Sequence, residues 1–234
     1  MTTPALPYPC LMLVTRPMER DRLIAIVREA VSGGVNAVQL RDKSASHRDL
    51  VDTSLALQAA MSGCLLAVNG CPAAAAEVPG AHVHLGAGHE IEVARRVAGA
   101  DRLIGRSVHS AQEAVLYAGS GADYLVLGTI FASRSHEGRP AAGPNLIRDS
   151  HAALCRECRA PDGSGPNQAR EHAADIPLIA IGGITPDNLT QCIEAGASGV
   201  AVVSGILNAV DPGRAARAYW ARLIGATQAP ETAT

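Results

Sequence analysis

What most restricts this chain is a recurrence of short, continuous apolar runs, each followed by a longer stretch with helical patterning. Eight such runs occur: Leu11–Thr15, Ala37–Arg41, Leu65–Asn69, His82–Leu85, Leu103–Ser107, Tyr124–Leu127, Leu178–Ile181 and Gly199–Val203. A run without polar alternation fits a strand buried on both faces, which is the usual state of strands in parallel sheets. A helix between consecutive strands supplies the crossover that parallel pairing requires. Hairpin signals are missing and no G-x-G-x-x-G follows an early strand, so an open dinucleotide-binding sheet is disfavoured. Eight strands in 234 residues predict an α/β fold, a single (β/α)8 (TIM) barrel, for which about 250 residues is usual.

The intervening helices are expected at Asp21–Ser32, Ser46–Met61, Glu90–Val97, Ala111–Ser120, Pro186–Glu194 and Gly213–Leu223. The second should be capped by Ser44 or Ser46. Thr185-Pro186-Asp187 reads as a helix start, with Thr as cap and Pro at the first helical position. Residues 1–225 form the expected domain. An exposed insertion at 161–168 (PDGSGPNQ) interrupts the sixth helical region, and 226–234 reads as a frayed tail.

Composition removes several function classes. A formal net charge of -2 gives no global field toward nucleic acid or an anionic membrane, so a phosphate must be held locally. No segment approaches the roughly 18 apolar residues of a membrane span. Met1–Cys10 lacks the order of a secretory signal, which makes the cytoplasm the default location. The six cysteines are scattered. Cys155 and Cys158 form a C-x-x-C, but no second pair or spaced His completes a metal site, so free thiols and no metal centre are expected.

Local chemistry concentrates at strand C-terminal ends. Gly182 and Gly183 end the seventh strand, and Val203-Ser204-Gly205 follows the eighth at the start of a short helix. Backbone amides freed by glycines and a helix start suit a phosphate, and barrels often bind one in these two loops. The second strand ends in Gln39, Arg41 and Lys43, whose period-two spacing sends them toward one side. Arg and Lys there can meet a polyanion or a carboxylate; an Arg41 salt bridge to a neighbouring strand is the competing reading. Asn69, His84, His89, Arg106, Ser107 and His109 lie at or near other strand ends, and each His is a candidate acid or base. The loop from Phe131 to His136 brings Ser133, Arg134, Ser135 and His136 over the mouth, where it reads either as a lid over an anion or as a solvated surface loop.

Taken in order, these residues resemble the thiamine phosphate synthase and TenI-type thiazole tautomerase superfamily. The similarity rests on VQLRDK (Val38–Lys43), VN (Val68-Asn69), HLG (His84–Gly86), GRSVHS (Gly105–Ser110), GADYLVLGTIF (Gly121–Phe131), the Ser133–Pro140 stretch, IGGITPDN (Ile181–Asn188) and GASGVAVVSGI (Gly196–Ile206). For a synthase, the resemblance implies an aminopyrimidine diphosphate and a thiazole phosphate as substrates, with Mg²⁺ at the diphosphate. It assigns Gln39, Arg41, Lys43, Asn69, Ser107, Ser133 and Ser135 to the pyrimidine and diphosphate, and Gly183, Val203 and Ser204 to the thiazole phosphate. Gly70 and His89 stand where the synthase pattern has Mg²⁺-binding Asp residues, and His136 where a lysine is usual. The expected branch is therefore the tautomerase, which needs a base and no cofactor. Thr129 replaces that branch's usual histidine, leaving His109, His136 or His89 as the proton carrier. The alternatives are the synthase, with Mg²⁺, and a non-catalytic regulatory barrel. In each case the partner is a small phosphate ligand, thiazole phosphate or thiamine phosphate. A homo-oligomer is left open.

Overall fold

The computed structural model describes residues 4–132, 141–158 and 175–228. Eight strands form one closed parallel barrel in sequence order: β1 (Cys10–Val14), β2 (Ala37–Leu40), β3 (Leu65–Asn69), β4 (His82–Leu85), β5 (Ile104–Val108), β6 (Tyr124–Leu127), β7 (Leu178–Ile181) and β8 (Gly199–Val202). Closure comes from β1 pairing with β8, Cys10 opposite Gly199. Each expected strand is present to within one residue at either end.

Both faces of the barrel wall are buried, which is why its strands read as unbroken apolar runs. Along β1, Cys10, Met12 and Val14 join an inner cluster with Tyr124, Val126, Ile179 and Ala201. Leu11 and Leu13 join the outer layer with helix residues such as Val27, Leu57 and Leu223. Full burial of each such Leu or Val stabilises the fold by about 1.5–3 kcal/mol. The inner layer alternates large and small: the Tyr124 ring occupies the space that a side chain on Gly105 would need.

Nine helices are present among the described residues: α1 (Arg20–Ser32), α2 (His47–Ala60), α3 (Pro72–Glu77), α4 (Ile91–Ala98), α5 (Ala111–Gly119), α6 (Asn145–Cys158), α7 (Leu189–Glu194), α8 (Ser204–Leu207) and α9 (Pro212–Gln228). Ser46, not Ser44, caps α2, in a capping box with Asp49. Ser44 is instead held in a turn by the Asp42 carboxylate, which accepts from its N–H and its hydroxyl.

Two expectations are corrected. Helix α7 starts at Leu189, because Pro186–Asn188 form a turn in which Asn188 Oδ1 accepts from the Thr185 N–H and Asn188 Nδ2 donates to the Gly183 carbonyl. The side chain that organises this corner is thus Asn188 rather than Thr185. The last helix does not fray at Gly225: it continues to Gln228, with the Thr227 hydroxyl donating to the Leu223 and Ile224 carbonyls. The insertion at 161–168 and residues 229–234 lie outside the described residues.

At the strands' N-terminal end, Asp123 accepts from Arg95 at 2.7 Å and from the Ile104 N–H at 2.6 Å. Arg95 and Arg102 also donate to loop carbonyls there. This end of a barrel serves stability, which leaves the opposite mouth for chemistry.

Candidate functional site

Side chains on alternate positions of β2 to β6 meet inside the C-terminal mouth. Gln39 Nε2 donates to Asn69 Oδ1 at 3.0 Å. Beside them, His84 sits between the Ser107 hydroxyl, 2.9 Å from Nε2, and the Tyr124 hydroxyl, 3.4 Å from Nδ1. Burial, reinforced by the Arg106 and Arg41 guanidiniums, pushes His84 down to about 3. At neutral pH its imidazole is therefore uncharged, one nitrogen donating and the other accepting. The structure removes His84 from the acid–base candidates and makes it a neutral polar strut that fixes Ser107.

The Arg41 guanidinium lies close enough to this floor to act on His84, and Lys43 follows two residues later at an exposed position. The Arg41 N–H donates to Thr15 Oγ1 at 2.9 Å, and Thr15 is itself buried. The alternative for Arg41, a salt bridge to the next strand, is not found among the described residues, and Lys43 has no ion-pair partner there either. Arg106 belongs elsewhere. It turns to the outer layer, where it donates to the Gly86 and His89 carbonyls and the Tyr117 hydroxyl and stacks 4.0 Å from the Tyr117 ring centroid. A groove of about 320 Å³, lined partly by Arg16, Leu40, Asp42 and Asp49, lies beside the mouth between the loops after β1 and β2.

Across the mouth, Gly182 and Gly183 have φ of 102° and 62°, a region that strains any side-chain-bearing residue. Packing demands glycine as well. A Cβ on Gly182 would lie 2.5 Å from Thr129 Cγ2, and one on Gly183 would lie 2.5 Å from the Ala132 carbonyl oxygen. The loop after β6 is laid along this turn by N–H donation from Ile130 to Ile181 and from Phe131 to Gly182. Hence the glycines serve loop docking as much as ligand access.

The neighbouring turn, Val203–Gly205, reaches the same tyrosine as the glycine turn. The Tyr219 hydroxyl of α9 donates to the Ile184 carbonyl at 2.9 Å and fills the space that a side chain on Gly205 would take. Among the described residues, the N–H groups of Gly183, Ser204 and Gly205 donate to no backbone carbonyl outside regular elements. Two adjacent turns thus present N–H donors at one end of the barrel, as a bound anion requires.

The histidine candidates separate. His109 is exposed at the end of β5, its Nδ1 against the Gly128 carbonyl and its backbone N–H donating to Glu113. It therefore stands one residue from Thr129. His89 lies after β4, with Nδ1 facing the Gly86 and Ala87 carbonyls and its opposite ring edge 3.8–3.9 Å from where a Cβ on Gly70 would be. Ser133, Ser135 and His136 lie outside the described residues.

The fit to Mg²⁺ fails at the pair Gly70–His89. Their adjacency shows that the ends of β3 and β4 converge, but one residue has no side chain and the other offers nitrogen, whereas Mg²⁺ requires oxygen. Among the described residues no group of three or more His, Cys, Asp or Glu could hold a metal ion. No helix described is long and apolar enough to cross a membrane.

Sequence reasoning missed Thr15, Tyr124 and Tyr219 as parts of this end of the barrel. Thr15 carried a signal, a polar residue closing an apolar strand. The two tyrosines carried none, because their hydroxyls act across 40 and 35 residues respectively.

Comparison with known proteins bears on family and fold. The family described as thiamine monophosphate synthase matches residues 11–206. The chain is 38% identical over 216 residues to a thiamine-phosphate synthase of Thermosynechococcus vestitus, covering 91% of this chain but 55% of that protein. It therefore spans about half the length of that relative. It is also 38% identical to a thiamine-phosphate synthase of Natronomonas pharaonis over 195 residues, 82% of this chain and 83% of that one. Among solved structures it is similar to a thiamine phosphate pyrophosphorylase from Pyrococcus furiosus, with a TM-score of 0.74, 27% identity, and coverage of 93% of this chain and 96% of the other.

Proposed function

The chain belongs to the thiamine monophosphate synthase family, and from that premise we propose that it is a transferase joining an aminopyrimidine diphosphate to a thiazole phosphate. This reading displaces the tautomerase expected from the sequence, because the relatives described above are named as synthases. The observation that carries it is the division of one mouth into three zones: N–H donors at the turns after β7 and β8, a neutral polar floor, and two cations after β2 that have no ion-pair partner among the described residues.

In this reading the amides of Gly183, Ser204 and Gly205 bind the thiazole phosphate. Gln39, Asn69 and Ser107 offer both donors and acceptors to a heteroaromatic ring, and His84 keeps Ser107 oriented without adding charge. As the new bond to the thiazole forms, the bond to the diphosphate breaks and negative charge builds on the departing group. Arg41 and Lys43 stabilise that charge. Because the residues at Gly70 and His89 do not fit Mg²⁺, these side chains carry more of the electrostatic load.

A second reading rests on the same misfit. A thiazole tautomerase requires a base and no metal, and in that reading His109, whose Nδ1 lies against the Gly128 carbonyl, would move the proton. One experiment separates the two. The purified chain is given both precursors, with and without Mg²⁺, and separately the non-aromatic thiazole carboxylate phosphate. Formation of thiamine phosphate supports the transferase. Faster aromatisation without condensation transfers the assignment to the tautomerase. Phosphate-ligand binding with neither reaction leaves a regulatory barrel.

A further inference from the structure

We propose that Cys71 is a covalent-modification site, a nucleophilic thiol set up by His47 and Glu77 that takes small disulfides. Three elements build it. Cys71 follows β3 and immediately precedes α3, His47 is the first residue of α2, and Glu77 is the last of α3. His47 Nδ1 is 3.6 Å from Cys71 Sγ, and its Nε2 is 2.7 Å from Glu77 Oε1. An imidazole between a thiol and a carboxylate can accept the thiol proton while the carboxylate stabilises the cation formed, the general design of an activated cysteine. Neither the transferase nor the tautomerase reading uses this cluster.

The remaining charged groups on the packed elements are engaged elsewhere. On α2, Arg48 pairs with Asp52, and Asp49 binds Ser46 and faces Arg20. On α4, Glu92 pairs with Arg96. His89 faces Gly70, the residue before Cys71, while the His84 ring at the same strand ends is turned inward to Ser107. Among the described thiols, burial pushes Cys64 and Cys192 up to about 12, Cys10 is fully buried, and Cys155 has His151 at 3.8 Å but no described carboxylate paired with that ring. Cys71 is partly exposed at the rim.

The step balances as thiol–disulfide exchange. Cys71 gives its proton to His47 and attacks one sulfur of the incoming disulfide. A Cys71–sulfur bond forms, the original S–S bond breaks, and the released thiolate takes the proton from His47. Cys71 is oxidised and the leaving thiol reduced, with no other oxidant needed. The added group would stand beside Gly70 and His89, at the edge of the mouth.

The full chain is treated with iodoacetamide near pH 6.5 and alkylation of Cys71 is followed by peptide mass. Proton transfer to His47 raises the share of Cys71 present as the reactive thiolate, so Cys71 should react about threefold or more faster than a peptide of the same local sequence. His47→Gln and Glu77→Gln, both at exposed positions, should each slow it. A rate no greater than the peptide's, or one indifferent to His47→Gln, overturns the proposal. In a second arm, oxidised glutathione should add one glutathionyl group at Cys71, reversed by dithiothreitol and absent in Cys71→Ser. Addition elsewhere, or none, also overturns it. Neither readout depends on turnover.

Discussion

His84 illustrates how position in a barrel changes a residue's chemistry. In the unfolded chain its imidazole titrates near 6.5, whereas in the folded protein it stays neutral down to about 3. Between those values the unfolded state binds the extra proton, so stability rises with pH and is lost as pH falls below 6.5, by up to about 1.4 kcal/mol per pH unit. Burial lowers His82 too, adding the same sign. The melting temperature should therefore be flat above neutrality and fall in mild acid, and His84→Asn should flatten that slope in calorimetry. Arg41 tests the charge assignment. If the chain is the proposed transferase, Arg41→Ala should lower kcat/KM for the diphosphate substrate by about 10- to 100-fold, the equivalent of a charge-assisted hydrogen bond, while leaving the melting temperature near its original value. Gly183→Ala should do the reverse of a silent change. Its Cβ would strike the Phe131 and Ala132 carbonyls at a φ of 62°, costing about 1–3 kcal/mol in denaturant unfolding. Much of this was readable from residue type and strand-end position: Gln39, Asn69, Ser107, Gly182 and Gly183 all reach the mouth. The roles of His84 and Arg106 were not, because which face of the wall a charge occupies, and how dry that face is, depends on neighbouring strands.

The strands were easier to place than the helices. A strand buried on both faces leaves a continuous apolar signature, so β3, β4, β6 and β7 match their expected bounds. Helix α3 went unrecognised because PAAAAE has too little amphipathic contrast over six residues. Helix α7 starts three residues late because Asn188 organises the turn before it. At this scale Tyr219 is the informative position, since one hydroxyl on α9 ties the turns after β7 and β8 together. Tyr219→Phe leaves the buried Ile184 carbonyl without that donor and should cost about 1–3 kcal/mol of stability. If the two turns hold the thiazole phosphate, it should also raise KM for that substrate more than it changes KM for the diphosphate. An equal effect on both would detach these turns from thiazole-phosphate binding.

Closure should make the molecule one cooperative unit. The pairing of β1 with β8 is matched on the outside by α9 lying against the end of α1, where Trp220 covers Gly34 at 2.5 Å from where its Cβ would be. Trp220 is the single tryptophan and reports on this seam. Its fluorescence and the far-ultraviolet circular dichroism should lose structure in coincident transitions; an earlier fluorescence change would mean that the seam opens independently. Strand number and parallel order were determined by the sequence itself, because burial on both faces dictates which residues can occupy a barrel wall. Only the tertiary structure decided that His84 is neutral, that Gly70 faces His89 and that His47 joins Cys71 to Glu77. Each of those depends on groups far apart in the chain being brought within contact by closure, and local pattern contains no term for it.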